Sequence, residues 1–142
     1  MFSIKIHNCS DELRNADLKA TPARLGVLAV LEHTDKPLDV QSITSSLHRL
    51  GVMMDRVTLF RILNTLTQKS ILKPIQFNEG KLRYEYAAKP EHHHFVCEKC
   101  GQIEDIEDCN VGSLIKNISS KKGVLVKRHS LEFFGLCADC QD

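Results

Sequence analysis

Long apolar runs are missing from this 142-residue chain; none approaches the roughly 18–20 residues that a membrane span needs. The opening Met1-Phe2-Ser3-Ile4-Lys5 is too short in apolar residues for a secretory signal. There is no long internal repeat and no low-complexity tract. The composition that marks disorder is also absent: 42% of residues are hydrophobic and 26% charged. The expectation is a globular protein of the cytoplasm with no membrane partner. The length allows one domain or two small ones, and a half of about 70 residues would lean on a metal or a second subunit.

The net charge of +1 hides an asymmetry. Residues 1–90 carry 13 Lys/Arg against 9 Asp/Glu, and residues 91–142 carry 6 against 9. Four of the seven histidines and five of the six cysteines lie in the acidic part. A mildly basic half beside an acidic, Cys/His-rich half suggests one end for an anionic partner and one for cations.

Local signals order the chain. A short helix is expected around Asp11–Ala16. Thr21-Pro22 reads as an N-cap followed by Pro at the first helical position, opening a helix through about Glu32. Asp39 caps the next, with Val40, Ile43, Leu47 and Leu50 on one side and Gly51 as its stop. Asp55 caps a third over about Arg56–Lys69. There Leu59, Ile62, Leu63 and Leu66 form the buried stripe, and Val57, Arg61, Asn64 and Gln68 lie opposite, with Phe60 on the flank. Strand-like runs Leu72–Phe77 and Leu82–Tyr86 flank a turn at Asn78-Glu79-Gly80-Lys81. Three helices and a hairpin are the order of a winged helix-turn-helix. Residues 87–91, with Pro90, read as a hinge. Beyond it come strands at His93–Cys97 and Gln102–Glu107, a helix over Val111–Ser120 with Leu114, Ile115 and Ile118 apolar, and a strand over Val124–Phe134. The fold class is α+β: a winged-helix domain at 1–86 and a smaller α/β domain at 92–142.

Cys97-x2-Cys100-Gly101 and Cys137-x2-Cys140 are two knuckle-like pairs. Thiolates two residues apart on a tight turn can both reach one tetrahedral Zn2+, and Gly101 permits the turn. Together they make a closed four-thiolate shell, the mark of a structural site. The 36 residues between the pairs exceed finger spacing, so the fold must bring them together. Disulfides and redox pairs are the alternatives; a reducing cytosol disfavours the first, and no βαβ context supports the second. Cys9 and Cys109 are left as ordinary thiols.

Glu91-His92-His93-His94-Phe95-Val96-Cys97 is the second dense feature. On a strand, His92 and His94 share one face while His93 turns with Glu91 to the other. Glu85 could join the first pair across the hinge, with Asp105 a further candidate; His129 could join His93. Mixed N/O donors suit Fe2+, Mn2+ or Zn2+. His7, His33 and His48 have no clustered partners and read as surface or capping residues.

Four segments taken together resemble the ferric uptake regulator (Fur) family of bacterial metal-sensing repressors. They are Leu18-Lys19-Ala20-Thr21-Pro22-Ala23-Arg24, Val57-Thr58-Leu59-Phe60-Arg61-Ile62-Leu63-Asn64, His92–Cys97 with Cys100, and Arg128–Cys137. They run in the family's order from about residue 12 to 140. The resemblance implies a homodimer with an N-terminal DNA-binding domain, a C-terminal dimerisation domain, a four-cysteine zinc site and a regulatory metal between the domains. Its hinge-site ligands fall on Glu85, His92 and His94, and one branch's acidic ligand on Asp105. A further ligand, usually His, falls on Pro37, which cannot coordinate. The family's second site maps to Glu91, His93, Gly112 and His129. Gly112 offers no side chain, and Glu107 and Asp108 are the nearest acids upstream.

The exposed face of a recognition helix meets bases and phosphates in the major groove. Here that face offers Thr58, Arg61, Asn64 and Gln68. Arg61 suits phosphate or guanine, and Val57 or Phe60 suits thymine methyls. By resemblance Phe60 stands where most members have Tyr. Lys19 and Arg24 would neutralise phosphates. The expectation is a cytoplasmic, dimeric, metal-dependent repressor of operator DNA, with structural Zn2+ and a sensed Fe2+, Mn2+ or Zn2+. Alternatives are a peroxide-sensing member of the family or a zinc-binding interaction module. An enzyme is not expected: zinc deaminase chemistry calls for H-x-E with P-C-x-x-C. Here Leu136 precedes Cys137, and His92-His93-His94 contains no H-x-E.

Overall fold

The computed structural model describes residues 8–77, 79–107 and 109–141. Expectations placed on Met1–Lys5, His7, Asn78 and Asp108 lie outside the described residues. The chain divides into two compact units, Met1–Lys89 and Pro90–Asp142.

The N-terminal unit holds helices α1 (Cys9–Asn15), α2 (Pro22–Glu32), α3 (Val40–Arg49) and α4 (Arg56–Gln68). Each starts where a short polar side chain satisfies an orphan N–H. Asn8 accepts from Ser10 and Asp11, Thr21 from Arg24, Asp39 from Ser42 and Asp55 from Thr58. Helix α4 buries Leu59, Ile62, Leu63 and Leu66 and ends at Gln68, with Lys69 as its cap. These pack with Leu13 of α1, Val27, Leu28 and Leu31 of α2, and Ile43 and Leu47 of α3. Gly26, inside α2, costs helix propensity, but a Cβ there would stand 3.2 Å from Leu47 and 3.3 Å from Val52. Its absence lets α2 lie close against α3 and the turn beyond it.

Strands β1 (Leu38–Asp39), β2 (Leu72–Gln76) and β3 (Leu82–Tyr86) form an antiparallel sheet in the order β1-β3-β2. Strands β2 and β3 are the wing hairpin. Strand β1 has no counterpart in the sequence reading, because two residues carry no periodicity and their pairing, Leu38 with Tyr84, is remote in the chain. Leu50 departs from its expected place beside Val40, Ile43 and Leu47. It is 57% exposed, because α3 has ended at Arg49 and Leu50 caps it as the chain turns away at Gly51.

The C-terminal unit holds β4 (His93–Cys97), β5 (Ile103–Ile106), α5 (Val111–Lys122) and β6 (Glu132–Gly135), then a 3-10 turn at Ala138–Cys140. Strand β4 is central, antiparallel to β5 and parallel to β6. The strand expected over Val124–Phe134 is a correction: only Glu132–Gly135 is strand, and residues 123–131 form neither helix nor strand. Val124 and Leu125 are exposed and pair with no strand among the described residues. β-Branched composition makes a strand only where a neighbour completes its hydrogen bonds.

Asp39 ties the two motifs of the N-terminal unit. Its carboxylate accepts the Ser42 N–H at 2.8 Å, starting α3, and the Lys81 ammonium at 2.5 Å, beside the wing. Burial alone would raise this carboxyl, but the bonds from Lys81 and Ser42 outweigh burial and hold it down at about 2. Asp39→Ala is expected to lower stability by about 1–2 kcal/mol, the size of a lost N-cap. The folded value lies below the ordinary one, so this stabilisation is complete above the usual aspartate range and is lost as pH falls through about 2. In urea melts the gap between wild type and variant should therefore close on acidification. A gap that widened would contradict the assignment.

Candidate metal centres and recognition helix

The parallel register of β4 and β6 sets Cys97 opposite Gly135. Each strand therefore delivers its cysteine knuckle at the same end of the sheet. After β4 the chain turns tightly, with the Gly101 N–H donating to the Cys97 carbonyl at 2.9 Å and Gly101 at φ +77°. After β6, Cys137 opens the 3-10 turn that carries Cys140, whose N–H donates to the Cys137 carbonyl at 3.0 Å. All four sulfurs lie within 4.8 Å of one another, and Cys100 and Cys137 Sγ are 3.8 Å apart. Four sulfurs at about 2.3 Å from a tetrahedral Zn2+ stand about 3.8 Å apart, whereas a disulfide needs about 2.05 Å. The donor set thus fits a structural zinc.

The thiols differ in acidity. N–H groups of Cys100 and Cys137, at 3.5 and 3.4 Å from Cys97 Sγ, hold that thiol down at about 6. Bonding to Cys137, followed by burial, pushes Cys140 up to about 12. Four thiols this close cannot all ionise without a cation among them, and a dication supplies that charge.

Around β4 the three histidines part. The His93 Nε2 lies 3.0 Å from His129 Nε2, which is 3.0 Å from Glu91 Oε1. All three donors fall within 4.8 Å of one another. Gly112, on α5, supplies no donor, and a Cβ there would meet nothing within 4 Å. On the other side, the His92 and His94 rings are 4.8 Å apart, edge to face. His94 is buried and faces Asp105 across the β4–β5 pair, with Nε2 3.7 Å from Oδ1. His92 Nδ1 bonds the Pro90 carbonyl at 2.7 Å, which fixes that ring. Glu85 belongs to the N-terminal unit: it is buried on β3, opposite Lys73 of β2. Pro37 is fully buried, and its carbonyl accepts Arg83 Nη1 at 3.2 Å, so that position carries packing and a backbone bond.

Helix α4 turns Val57, Thr58, Arg61, Asn64 and Gln68 to solvent, and Phe60 is partly exposed. Lys19 is exposed, while Arg24 donates from Nη1 to the Lys19 carbonyl at 3.0 Å and so also braces the loop before α2. Sequence reasoning passed over Arg56. Its guanidinium carbon lies 5.6 Å from the Phe60 ring centroid. The signal was there, since Arg and Phe four apart on a helix are surface neighbours.

A winged helix-turn-helix unit followed by a small α/β unit that gathers four cysteines and a histidine cluster is the architecture of a metal-binding transcriptional regulator. The profile of the ferric uptake regulator family matches residues 15–134. The ferric uptake regulation protein of Neisseria meningitidis serogroup B is 31% identical over 131 residues, spanning 92% of this chain and 91% of that protein. Among solved structures, the Vibrio cholerae ferric uptake regulator, described as revealing rearrangement of its DNA-binding domains, is similar at a TM-score of 0.80. It is 29% identical and covers 92% of this chain and 100% of that one. The Helicobacter pylori regulator, described as having three functional metal-binding sites, gives 0.79 at 26% identity, over 93% and 88% of the two chains. The chain belongs to the ferric uptake regulator family.

Proposed function

We propose that this protein is a dimeric cytoplasmic repressor whose hold on operator DNA depends on a bound divalent metal, and that it is a regulator and not an enzyme. The observation that carries the DNA-binding reading is the divided face of α4. One stripe is buried in the core, and the other leaves Thr58, Arg61, Asn64 and Gln68 free for a groove. Residues 1–86 would be the DNA-binding domain, 87–91 the hinge and 92–142 the dimerisation and metal-binding domain. Dimerisation is supported by Leu114 and Ile118 on α5 and by Leu125, Phe133 and Phe134, all exposed, with β6 at the edge of its sheet.

Cys97, Cys100, Cys137 and Cys140 would hold the structural Zn2+. Glu85, His92 and His94, with Asp105 in place of the donor that Pro37 lacks, would hold the regulatory Fe2+, Mn2+ or Zn2+. Glu91, His93 and His129 would form a further site. Glu85, before the hinge in the chain, and His92 and His94, after it, would hold the regulatory cation, which would supply the coordinate bonds that tie them. The residues so held would then favour the arrangement that lets two recognition helices reach successive half-sites. Reciprocity requires that DNA raise metal affinity by the same factor that metal raises DNA affinity. The rearrangement of DNA-binding domains described for the Vibrio cholerae relative supports a mechanism of this kind.

The test is a gel shift against a random pool of duplexes with Fe2+, Mn2+ or Zn2+ added in turn, on protein assayed for its metal content. Failure to retain any duplex with any of the three would leave a zinc-binding interaction module instead. Arg61→Ala is expected to weaken binding while zinc content and dimer size stay unchanged. If Arg61 meets a phosphate, the loss is uniform across sequences and the salt slope falls by about one. If it reads guanine, the loss is about 1–3 kcal/mol at one base position. Unchanged affinity at every salt concentration would show that Arg61 makes no such contact and would count against α4 as the reader.

A further inference from the structure

Three cations of the N-terminal unit are engaged inside the fold. Arg83 is clamped by both oxygens of Glu79 at 2.9 Å. Lys81 rests on Asp39 at 2.5 Å, and Lys89 donates to the Thr34 carbonyl at 2.7 Å. Arg56 is different. Among the described residues no carboxylate lies within ion-pair distance of it, and it is exposed. It also occupies the first residue of α4, where the helix dipole disfavours a positive charge.

What does hold Arg56 is Phe60, one helical turn on. The guanidinium stands over the ring at 5.6 Å from its centroid, inside cation–π range. Phe60 is 38% exposed, with room for both this contact and another molecule. Arg56 is exposed, and its guanidinium is a rigid fork of N–H donors. The fork matches the O6 and N7 of a guanine in the major groove. N-terminal residues of a recognition helix are the ones nearest the base edges.

We propose that Arg56 is a specificity-determining contact that reads a guanine of the operator, and that Phe60 is the residue that positions it. The inference rests on the DNA-binding reading above. Arg56 adds a base contact on the first turn of α4, ahead of Arg61 on the second.

An operator selected from the random pool by the wild-type protein supplies the probe. Anisotropy titrations at fixed salt would compare the wild type, Arg56→Lys, Arg56→Ala, Phe60→Leu and Phe60→Tyr. The duplexes would be the operator itself and copies in which each guanine in turn is replaced by 7-deazaguanine, which lacks N7. For the wild type, one replaced guanine is expected to cost about tenfold in affinity, within the range of a bidentate base contact. That same replacement should cost nothing further in Arg56→Ala, which has no donor to give that guanine. Phe60→Leu should lose most of the discrimination, and Phe60→Tyr, which keeps the ring, should restore it. Arg56→Ala with wild-type discrimination at every guanine overturns the proposal. So does a uniform loss in Arg56→Ala with a shallower salt slope, the signature of a phosphate contact. If Arg61→Ala weakens binding while no Arg56 variant differs from wild type, this inference alone fails. If the wild-type protein binds no duplex with any metal, the DNA-binding reading fails and takes this one with it.

Discussion

Cys97→Ser or Cys137→Ser is expected to unfold the C-terminal unit and leave the N-terminal unit standing. The reason lies in where the apolar mass sits. The main core runs from Leu13 to Tyr86, wholly within the N-terminal unit. In the C-terminal unit the buried apolar residues, among those described, are Val96, Cys97, Ile103 and Cys137. Two of these four are candidate zinc ligands, and α5 buries no residue at all. A layer this thin cannot offset the entropy of ordering its chain. Binding of structural zinc contributes about 10–16 kcal/mol apparent in small zinc peptides, as large as the whole stability of a domain. Loss of one ligand should therefore release the zinc, abolish the dimer and remove protection from hydrogen exchange in β4, β5 and β6. Protection in α2 and α4 should persist. Zinc-depleted variants that stay dimeric, with β4–β6 protected, would refute the four-cysteine site.

The second large effect concerns sensing. Replacing His92 and His94 together by Ala is expected to abolish metal-stimulated operator binding while zinc stays at one per chain and the dimer is unchanged. Ligand-linked coupling is typically about 1–3 kcal/mol, or roughly 5–150-fold in affinity, and the double variant should lose all of it. A metal with no differential contact between two states cannot shift them. His93→Ala should do far less, since its ring lies with His129 and Glu91, away from the facing rings of His92 and His94. Full metal stimulation in the double variant would move sensing to another site. Wild-type binding that never depended on added metal would remove the regulatory metal from the mechanism.

Helix starts and the interior stripe of α4 were legible in the sequence because both are local. Thr21, Asp39 and Asp55 cap helices through N–H groups three residues away, and Leu59, Ile62, Leu63 and Leu66 need only the helical period to share a side. The two Cys-x2-Cys pairs and the triple histidine were equally visible, and so was the winged-helix order of elements. Where locality ended, so did legibility. Val124–Ser130 looks like strand by composition, yet a strand requires a neighbour, and the residues that pair with β4 begin at Glu132. The Leu38–Asp39 strand exists only because Tyr84 and Arg83 lie beside it.

The sequence by itself therefore determined the fold class, the family and the kinds of donor atom available, because caps, periods and ligand chemistry reside in single residues and short spacings. Tertiary structure alone decided which donors meet. The parallel register of β4 and β6 closes the two cysteine knuckles into one shell across 36 intervening residues. The same unit's fold carries His129 to His93 and Glu91, and the β4–β5 pairing carries Asp105 to His94. Strand register is a property of two distant segments at once, set by hydrogen bonds and burial that neither segment encodes alone.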